Sequence, residues 1–276
     1  MKTIFISYAN EAMAWSLKRI GRQARRLGIF DEVILYTPAD LPQYVKDSPL
    51  MEAKRGAGYW CWKPALIQET LNKYEDGSVV VYVDAGCTLR KSSMWNMLLR
   101  LMDRYDSIVF QYDALQPQWE KHFGCSSSAV FHWTKRATLE FLDGYLKDSH
   151  YRTNSQVCGG VLLMKNKENS LLKQWRHLVF TYPQLIADPD AEERNHQHDG
   201  FIAHRHDQSI LSALSSKEPQ TLILPEISER YTPDAFIYAS RIRAKNARQG
   251  RVIIFKQYLR QLLGDAFFER IRKTLK

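Results

Sequence analysis

The stretch Val79-Val80-Val81-Tyr82-Val83-Asp84-Ala85-Gly86-Cys87 decides the fold. Five apolar, mostly β-branched residues predict a buried strand, and the strand ends on one carboxylate. In open α/β sheets, ligands bind beyond the carboxyl ends of the strands. Ala85-Gly86 lets the backbone turn sharply after Asp84. A carboxylate there can hold a ribose hydroxyl, or a divalent cation near a pyrophosphate, because hard cations take oxygen ligands. It can equally cap the next turn. Just upstream lies Arg55-Gly56-Ala57-Gly58-Tyr59-Trp60-Cys61-Trp62-Lys63-Pro64, where flexible glycines, three large aromatics and two cations stand side by side. Aromatics, fixed positive charge and a carboxylate together suit a ligand with a base, phosphates and a sugar.

Outward from this centre, strands alternate with helices. Residues 3–9, 32–36, 107–112 and 159–164 read as strands beside 79–83. Residues 11–27, 94–105, 137–146 and 170–180 carry helical periodicity, and Pro64 suits the first turn of a helix through Leu66, Ile67, Leu71 and Tyr74. Asp207 has the place of an N-cap for a helix through Leu214. Residues 37–58 and 188–200 read as loops. The pattern predicts an α/β domain with a mixed, mostly parallel central sheet. It occupies residues 1–240, and a basic helical tail takes 241–276.

Length and composition agree with one soluble domain and an appendage. The 276 residues are 45% hydrophobic and 25% charged, with no apolar run long enough for a transmembrane helix. Residues 3–9 are too short and unflanked for a secretory signal. The four cysteines are far apart without metal-ligand spacing, which reads as reduced thiols in a cytoplasm. The net charge of +9 is equalled by residues 241–276, where eleven Lys and Arg face two Asp and Glu. In that tail Gly250 separates the body from a segment in which Phe255, Tyr258, Leu259, Leu262, Ala266, Phe267 and Ile271 recur at helical spacing. With Lys256, Arg260, Arg270, Arg272 and Lys273 it has the character of an interfacial helix on anionic lipid. A terminal helix docked on the body, or a dimer contact, has the same pattern.

Other motifs narrow the chemistry. Gly56-Ala57-Gly58 follows a loop instead of a strand, and Cys61 takes the third glycine position, so a dinucleotide redox site is not expected. Lys63, at a helix start, adds its charge to the helix dipole and would favour phosphate there. His196, His198, His204 and His206 crowd together as zinc ligands can, yet no cysteine or carboxylate has partner spacing. His206-Asp207-Gln208 opens a helix, and its side chains can project into a cleft. No nucleophile elbow, P-loop or HExxH motif is present.

Taken together, these residues resemble bacterial glycosyltransferases of the GT-A type, of the capsule and lipopolysaccharide kind. That group carries an R-G-x-G-Y-W-x-W-K-P block, a strand ending in D-A-G-C, a small-G-V-L-L strand and an H-R-H-D-Q-S-I motif. Here these are residues 55–64, 84–87, 159–163 and 204–210, in one consistent order within roughly residues 1–215. More distantly the order is similar to glycogenin and the lipooligosaccharide galactosyltransferases, which retain anomeric configuration. The resemblance implies a GT-A-like, Rossmann-like nucleotide-sugar domain. It implies Asp84, Asp207 and Gln208 as catalytic residues, with Asp207 on the donor sugar and Gln208 near its anomeric carbon. Arg55, Tyr59, Trp60, Lys63, Asp84, Gly86 and Arg205 would bind the donor nucleotide and its phosphates. In the distant group a D-x-D pair binds Mn²⁺. Asp84 matches the first carboxylate and Gly86 stands at the second, so a Mn²⁺ or Mg²⁺ ion would have Asp84 as its one matched ligand. If the metal is lost with Gly86, Lys63 and Arg55 must carry more of the phosphate charge.

The expectation is therefore a cytoplasmic enzyme, peripheral at the inner face of the membrane. It moves a sugar from a nucleotide-sugar, UDP-linked, to a glycan or lipid-linked glycan acceptor in surface polysaccharide synthesis. The tail 241–276 meets an anionic membrane surface, and no nucleic acid is expected. Two alternatives remain open: a sugar nucleotidylyltransferase, although Ser7-Tyr8-Ala9-Asn10 is no glycine-rich phosphate loop, and a non-enzymatic module binding nucleic acid or another anionic surface through the tail.

Overall fold

The computed structural model describes residues 2–229 and 235–263. A central sheet contains β1 (Thr3–Tyr8), β2 (Glu32–Tyr36), β3 (Val79–Val83), β4 (Ser107–Gln111), β5 (Val161–Lys165) and β6 (Thr221–Pro225). Its order is β2-β1-β3-β5-β4-β6. β1 pairs in parallel with β2 and β3, and β4 with β6, while β5 runs antiparallel between β3 and β4. The mixed, mostly parallel α/β sheet is thus as expected. The edge strand β6 was not anticipated: its side chains are only half-buried, so no strong apolar run marks it.

The main helices are α1 (Ala14–Leu27), α2 (Trp62–Asn72), α3 (Met94–Leu101), α4 (Arg136–Leu146), α5 (Ser170–Thr181), α6 (Asp207–Ser215) and α7 (Ala247–Leu263). Helices cover both faces of the sheet. Val80 and Tyr82 of β3 join one apolar core with Leu66 of α2, Trp175 of α5 and Leu211 of α6. Val79, Val81 and Val83 join a second with Leu17 and Ile20 of α1 and Trp95 of α3. A strand buried on both faces needs an unbroken apolar run, which is why 79–83 reads so clearly. Each such side chain taken out of water stabilises the fold by about 1.5–3 kcal/mol.

This topology gathers several strand ends at one place. The carboxyl ends of β1, β3, β4 and β6 lie at one edge of the sheet. Because β5 is reversed, its amino end lies there too, with Val161 opposite Val83. The chain steps from β1 to β2 on one side and to β3 on the other, and such a switch point is where ligands bind.

The C-terminal segment closes this edge. Ile237–Tyr238 pairs antiparallel with Thr88–Leu89, just beyond Asp84. Ile242 and Ala244 are buried, and the Ser16 hydroxyl donates to the Ile242 carbonyl at 2.6 Å. Residues 241–246, expected to begin a tail, therefore run along the body. Gly250, expected to divide body from tail, lies inside α7 and against α1: a Cβ there would stand 2.2 Å from the Trp15 ring. The outer surface of α7 exposes Val252, Ile254, Phe255 and Tyr258 among Arg248, Arg251 and Lys256. The expected positions Ala266, Phe267, Ile271, Arg270, Arg272 and Lys273 lie outside the described residues. No described helix is long and apolar enough to cross a membrane.

Candidate functional site

At the gathered strand ends opens a cleft of about 770 Å³, within the size range of small-molecule sites. It is lined by Asn10 after β1, Asp84 after β3, Tyr112 after β4, Gly159 and Gly160 before β5, and the start of α6. Of the residues expected from sequence, Arg55, Trp60, Lys63, Asp84, Gly86, Arg205, Asp207 and Gln208 all line it. Tyr59 does not. Its ring stacks on His206 at 4.8 Å, and its hydroxyl donates to Asp188 at 3.2 Å, so it supports the site from outside the cleft lining.

The rim is a left-handed turn. Gly56, Ala57, Gly58, Tyr59 and Trp60 all have positive φ, from 50° to 95°. For an L-residue this handedness costs about 1–2 kcal/mol, so Ala57, Tyr59 and Trp60 store strain beside the site. Contacts hold the turn in place. The Trp62 indole donates to the Gly56 carbonyl at 3.0 Å, and the Gly58 N–H donates to the Ala53 carbonyl at 2.9 Å. A Cβ on Gly56 would meet the Trp60 ring at 2.4 Å, and one on Gly58 would meet the Met51 sulfur at 2.7 Å. The two glycines are there for φ and for space, and the turn delivers Trp60 and Trp62 to the cleft wall.

The floor is a buried charge cluster. The Lys63 Nζ lies 3.0 Å from Asp207 Oδ2, with both side chains 4% exposed, and donates to the Gly159 carbonyl at 2.8 Å. Burial pushes the Asp207 carboxyl up to about 6; Lys63 opposes that rise and the Asp84 charge adds to it. On Lys63 burial works against the charge, but Asp207 and Asp84 outweigh it and raise its pKa, so the ammonium stays protonated. Lys63 therefore does not stand free as a phosphate ligand: it holds Asp207. Asp84 is fixed through its N–H to the Gly160 carbonyl at 2.9 Å and through the Tyr82 hydroxyl, which donates to Oδ1. Glycines leave room opposite: a Cβ on Gly160 would stand 3.0 Å from Asp84 Oδ2 and one on Gly159 3.3 Å from Lys63 Nζ, tight enough to displace these side-chain ends slightly.

The wall beyond is set by α6. Asp207 is the first residue of the helix and not its cap; His206 takes the cap position, with φ 55° and ψ −124°, a region that favours glycine. The Gln208 amide donates to Gln156 Oε1 at 2.7 Å. Arg205 lies over the Trp133 ring at 4.3 Å and near Phe123, so its charge is offered from an aromatic cage. His206 Nδ1 pairs with the Ile186 carbonyl at 2.8 Å, while its buried Nε2 has no hydrogen-bond partner. Burial lowers its pKa to about 4, and the ring is neutral. His204 is buried, bonded to the Leu185 carbonyl at 2.9 Å, and His198 bonds to the Phe131 carbonyl at 2.9 Å. The clustered histidines are thus committed to separate backbone partners.

The donor set does not fit a divalent cation well. Among the described residues no group of three or more His, Cys, Asp or Glu is placed to hold a metal ion. Among the described residues Asp84 has no second free carboxylate beside it: residue 86 is glycine and Asp207 already faces an ammonium. All four cysteines are free.

Four residues at the site escaped the sequence reading. The buried Arg19 of α1 pins the loop after Asp84, donating to the Thr88 hydroxyl at 2.8 Å and to the carbonyls of Ala85 and Cys87. Glu229, Arg241 and Arg243 line the cleft from the C-terminal segment. Alternation in Arg241-Ile242-Arg243-Ala244, exposed and buried by turns, was the one signal that this segment lies against the body.

No family model matches the chain, and no curated protein does. Solved structures with a similar chain course include mouse xyloside xylosyltransferase 1 in its apo form. It is 12% identical with a TM-score of 0.42, over 87% of this chain and 97% of that one. A glycosyltransferase involved in glycosylation of the major capsid of PBCV-1 is 7% identical with a TM-score of 0.47, over 92% and 100%. The galactosyltransferase LgtC, in complex with donor and acceptor sugar analogs, is 14% identical with a TM-score of 0.36, over 80% and 72%. Identities and TM-scores this low leave the function to be read from the site itself.

Proposed function

We propose that the chain is a glycosyltransferase that moves a sugar from a UDP-linked donor to a lipid-linked surface glycan, with retention of configuration. The observation that carries this reading is the makeup of one cleft at the switch point of the sheet. Asp84, Asp207, Gln208 and Trp60 line it together with a surplus of cations. Among the described residues two that line the cleft, Tyr8 and His206, carry buried polar atoms without a hydrogen-bond partner, and such atoms call for a polar ligand or water. Asp84 would take a ribose or sugar hydroxyl and Trp60 a flat face of base or sugar. Asp207 and Gln208 would hold the donor sugar.

In the reaction the bond from the sugar anomeric carbon to the phosphate oxygen breaks, and the electron pair leaves with the nucleoside diphosphate. The acceptor hydroxyl oxygen forms the new bond, and its proton passes to the departing phosphate. Charge grows on the phosphate as an oxocarbenium-like sugar forms. Fixed cations in a cleft of low dielectric stabilise that charge without reorganising.

The test is a melting-temperature screen of the full chain against UDP, GDP, CMP and their sugars. A ligand bound only to the native state at a hundred times its dissociation constant stabilises by about 2.7 kcal/mol, which raises the melting temperature by several degrees. A UDP-selective rise is expected; no rise with any nucleotide overturns the reading. The acceptor side predicts a membrane contact through α7, whose exposed Phe255 and Tyr258 stand among cations. Flotation with vesicles containing phosphatidylglycerol should carry the protein upward at low salt and lose it at high salt. If pure phosphatidylcholine vesicles carry it equally well, the anionic-surface reading is wrong.

A further inference from the structure

We infer that the C-terminal segment 239–243 supplies the cations for the donor diphosphate in place of a metal ion, so that nucleotide binding needs no divalent cation. The inference rests on the glycosyltransferase reading and adds to it where the leaving-group charge is met.

The first observation concerns Gly86. Its carbonyl accepts from the Ile242 N–H at 3.0 Å and from the Ser240 hydroxyl at 2.9 Å. A Cβ built on Gly86 would stand 3.5 Å from the Arg241 Cα and 3.6 Å from the Ile242 nitrogen. Gly86 has no positive φ that would demand glycine. The C-terminal segment therefore runs in van der Waals contact beside the position where a second acidic metal ligand is missing.

The second observation is what that packing brings. Residues 241–244 alternate, with Ile242 and Ala244 turned into the body and Arg241 and Arg243 exposed. Both arginines line the cleft. Arg241 is tied in place by Glu229, with its Nη2 2.7 and 2.6 Å from the two carboxylate oxygens. Arg243 makes no ion pair or hydrogen bond with the described residues, so its guanidinium is available to a ligand.

The third is charge. Among the described residues six Lys and Arg against three Asp and Glu line the cleft. One of the carboxylates, Asp207, already has the Lys63 ammonium where a divalent ion would have to approach. Such an ion would meet fixed positive charge, whereas a diphosphate would meet attraction and a planar fork suited to bidentate phosphate contacts.

The experiment is calorimetric titration of the full chain with UDP, GDP and CMP, first in EDTA and then in excess Mn²⁺. The expected result is binding of UDP in EDTA, with an affinity within about twofold of that in Mn²⁺. Arg243→Ala should weaken binding roughly tenfold, about the worth of one charge-assisted hydrogen bond, and Arg243→Lys, which keeps the charge without the fork, should restore part of it. The side chain of Arg243 is exposed, so an unchanged melting temperature is expected to show that these variants fold. Binding that appears only with Mn²⁺ overturns this inference and leaves the glycosyltransferase reading intact. Binding in EDTA that ignores Arg243→Ala overturns the role of the segment. No nucleotide binding under either condition overturns both readings.

Discussion

Asp84→Asn is expected to lower the rate of nucleoside diphosphate release from a donor sugar by about 10²–10³-fold, as loss of one preorganised charge at a reacting centre does. The substitution keeps the shape and removes the charge. Among the described residues Asp84 is the carboxylate of the cleft floor that does not face a paired cation, and β3, the Gly160 carbonyl and Tyr82 fix its position. Asp84→Ala carries a second cost. It removes the acceptor of the fully buried Tyr82 hydroxyl, a loss of about 1–3 kcal/mol. Tyr82→Phe separates the two effects, since it keeps the carboxylate and gives up only its anchor. A coupled assay for released diphosphate, run beside urea unfolding, reads both. Asp84→Asn turnover within tenfold of the parent would remove Asp84 from the chemistry.

Lys63→Met is expected to destabilise the fold by about 3–5 kcal/mol at pH 7, because the buried Asp207 carboxyl loses its partner and must either stay charged in the core or take up a proton well above its ordinary range. The cost should shrink on acidification. The Asp207 carboxyl is raised from its ordinary value near 4 to about 6. A raised carboxyl binds a proton more tightly in the folded chain than in the unfolded one. Its contribution to stability is complete below about 4 and lost as pH rises through about 6. Without Lys63 the carboxyl rises further, so protonation at pH 5 relieves most of the penalty. The double variant Lys63→Met with Asp207→Asn removes both charges and should regain most of the stability at pH 7, but not the activity. Urea unfolding of the parent, both single variants and the double variant at pH 7 and pH 5 gives the coupling. Strict additivity at pH 7 would mean that the buried pair is not a unit.

How far the sequence reveals this molecule depends on the kind of signal each part leaves. β3 and the helix after Pro64 are legible because an unbroken apolar run, or a helical apolar pattern, has few other readings. Asp84, Lys63, Asp207 and Gln208 follow, since each abuts such an element. The rim is different. No composition rule announces that Ala57, Tyr59 and Trp60 turn left-handed, so the direction of each aromatic ring was hidden, and Tyr59 went to His206 instead of the cleft. The C-terminal wall was hidden for another reason. Arg241 and Arg243 belong to the most basic part of the chain, where arginines read as solvated surface until Ile242 and Ala244 are seen to be buried. Arg19 is a cation in a basic helix, and only its carbonyl partners show that it holds the loop behind Asp84.

The left-handed turn from Gly56 to Trp60 has a consequence for how this cleft can change in evolution. It is a short piece of peptide in the mirror-image conformation, natural to D-residues and available to a ribosomal chain only at a cost, or through glycine. Mutation at positions 56 and 58 meets two barriers at once, chirality and the side chains already in contact. Position 57 is open mainly to glycine, asparagine and aspartate, and closed to β-branched residues. This side of the cleft is therefore nearly frozen, and adaptation to another ligand would have to act through lining residues outside the turn.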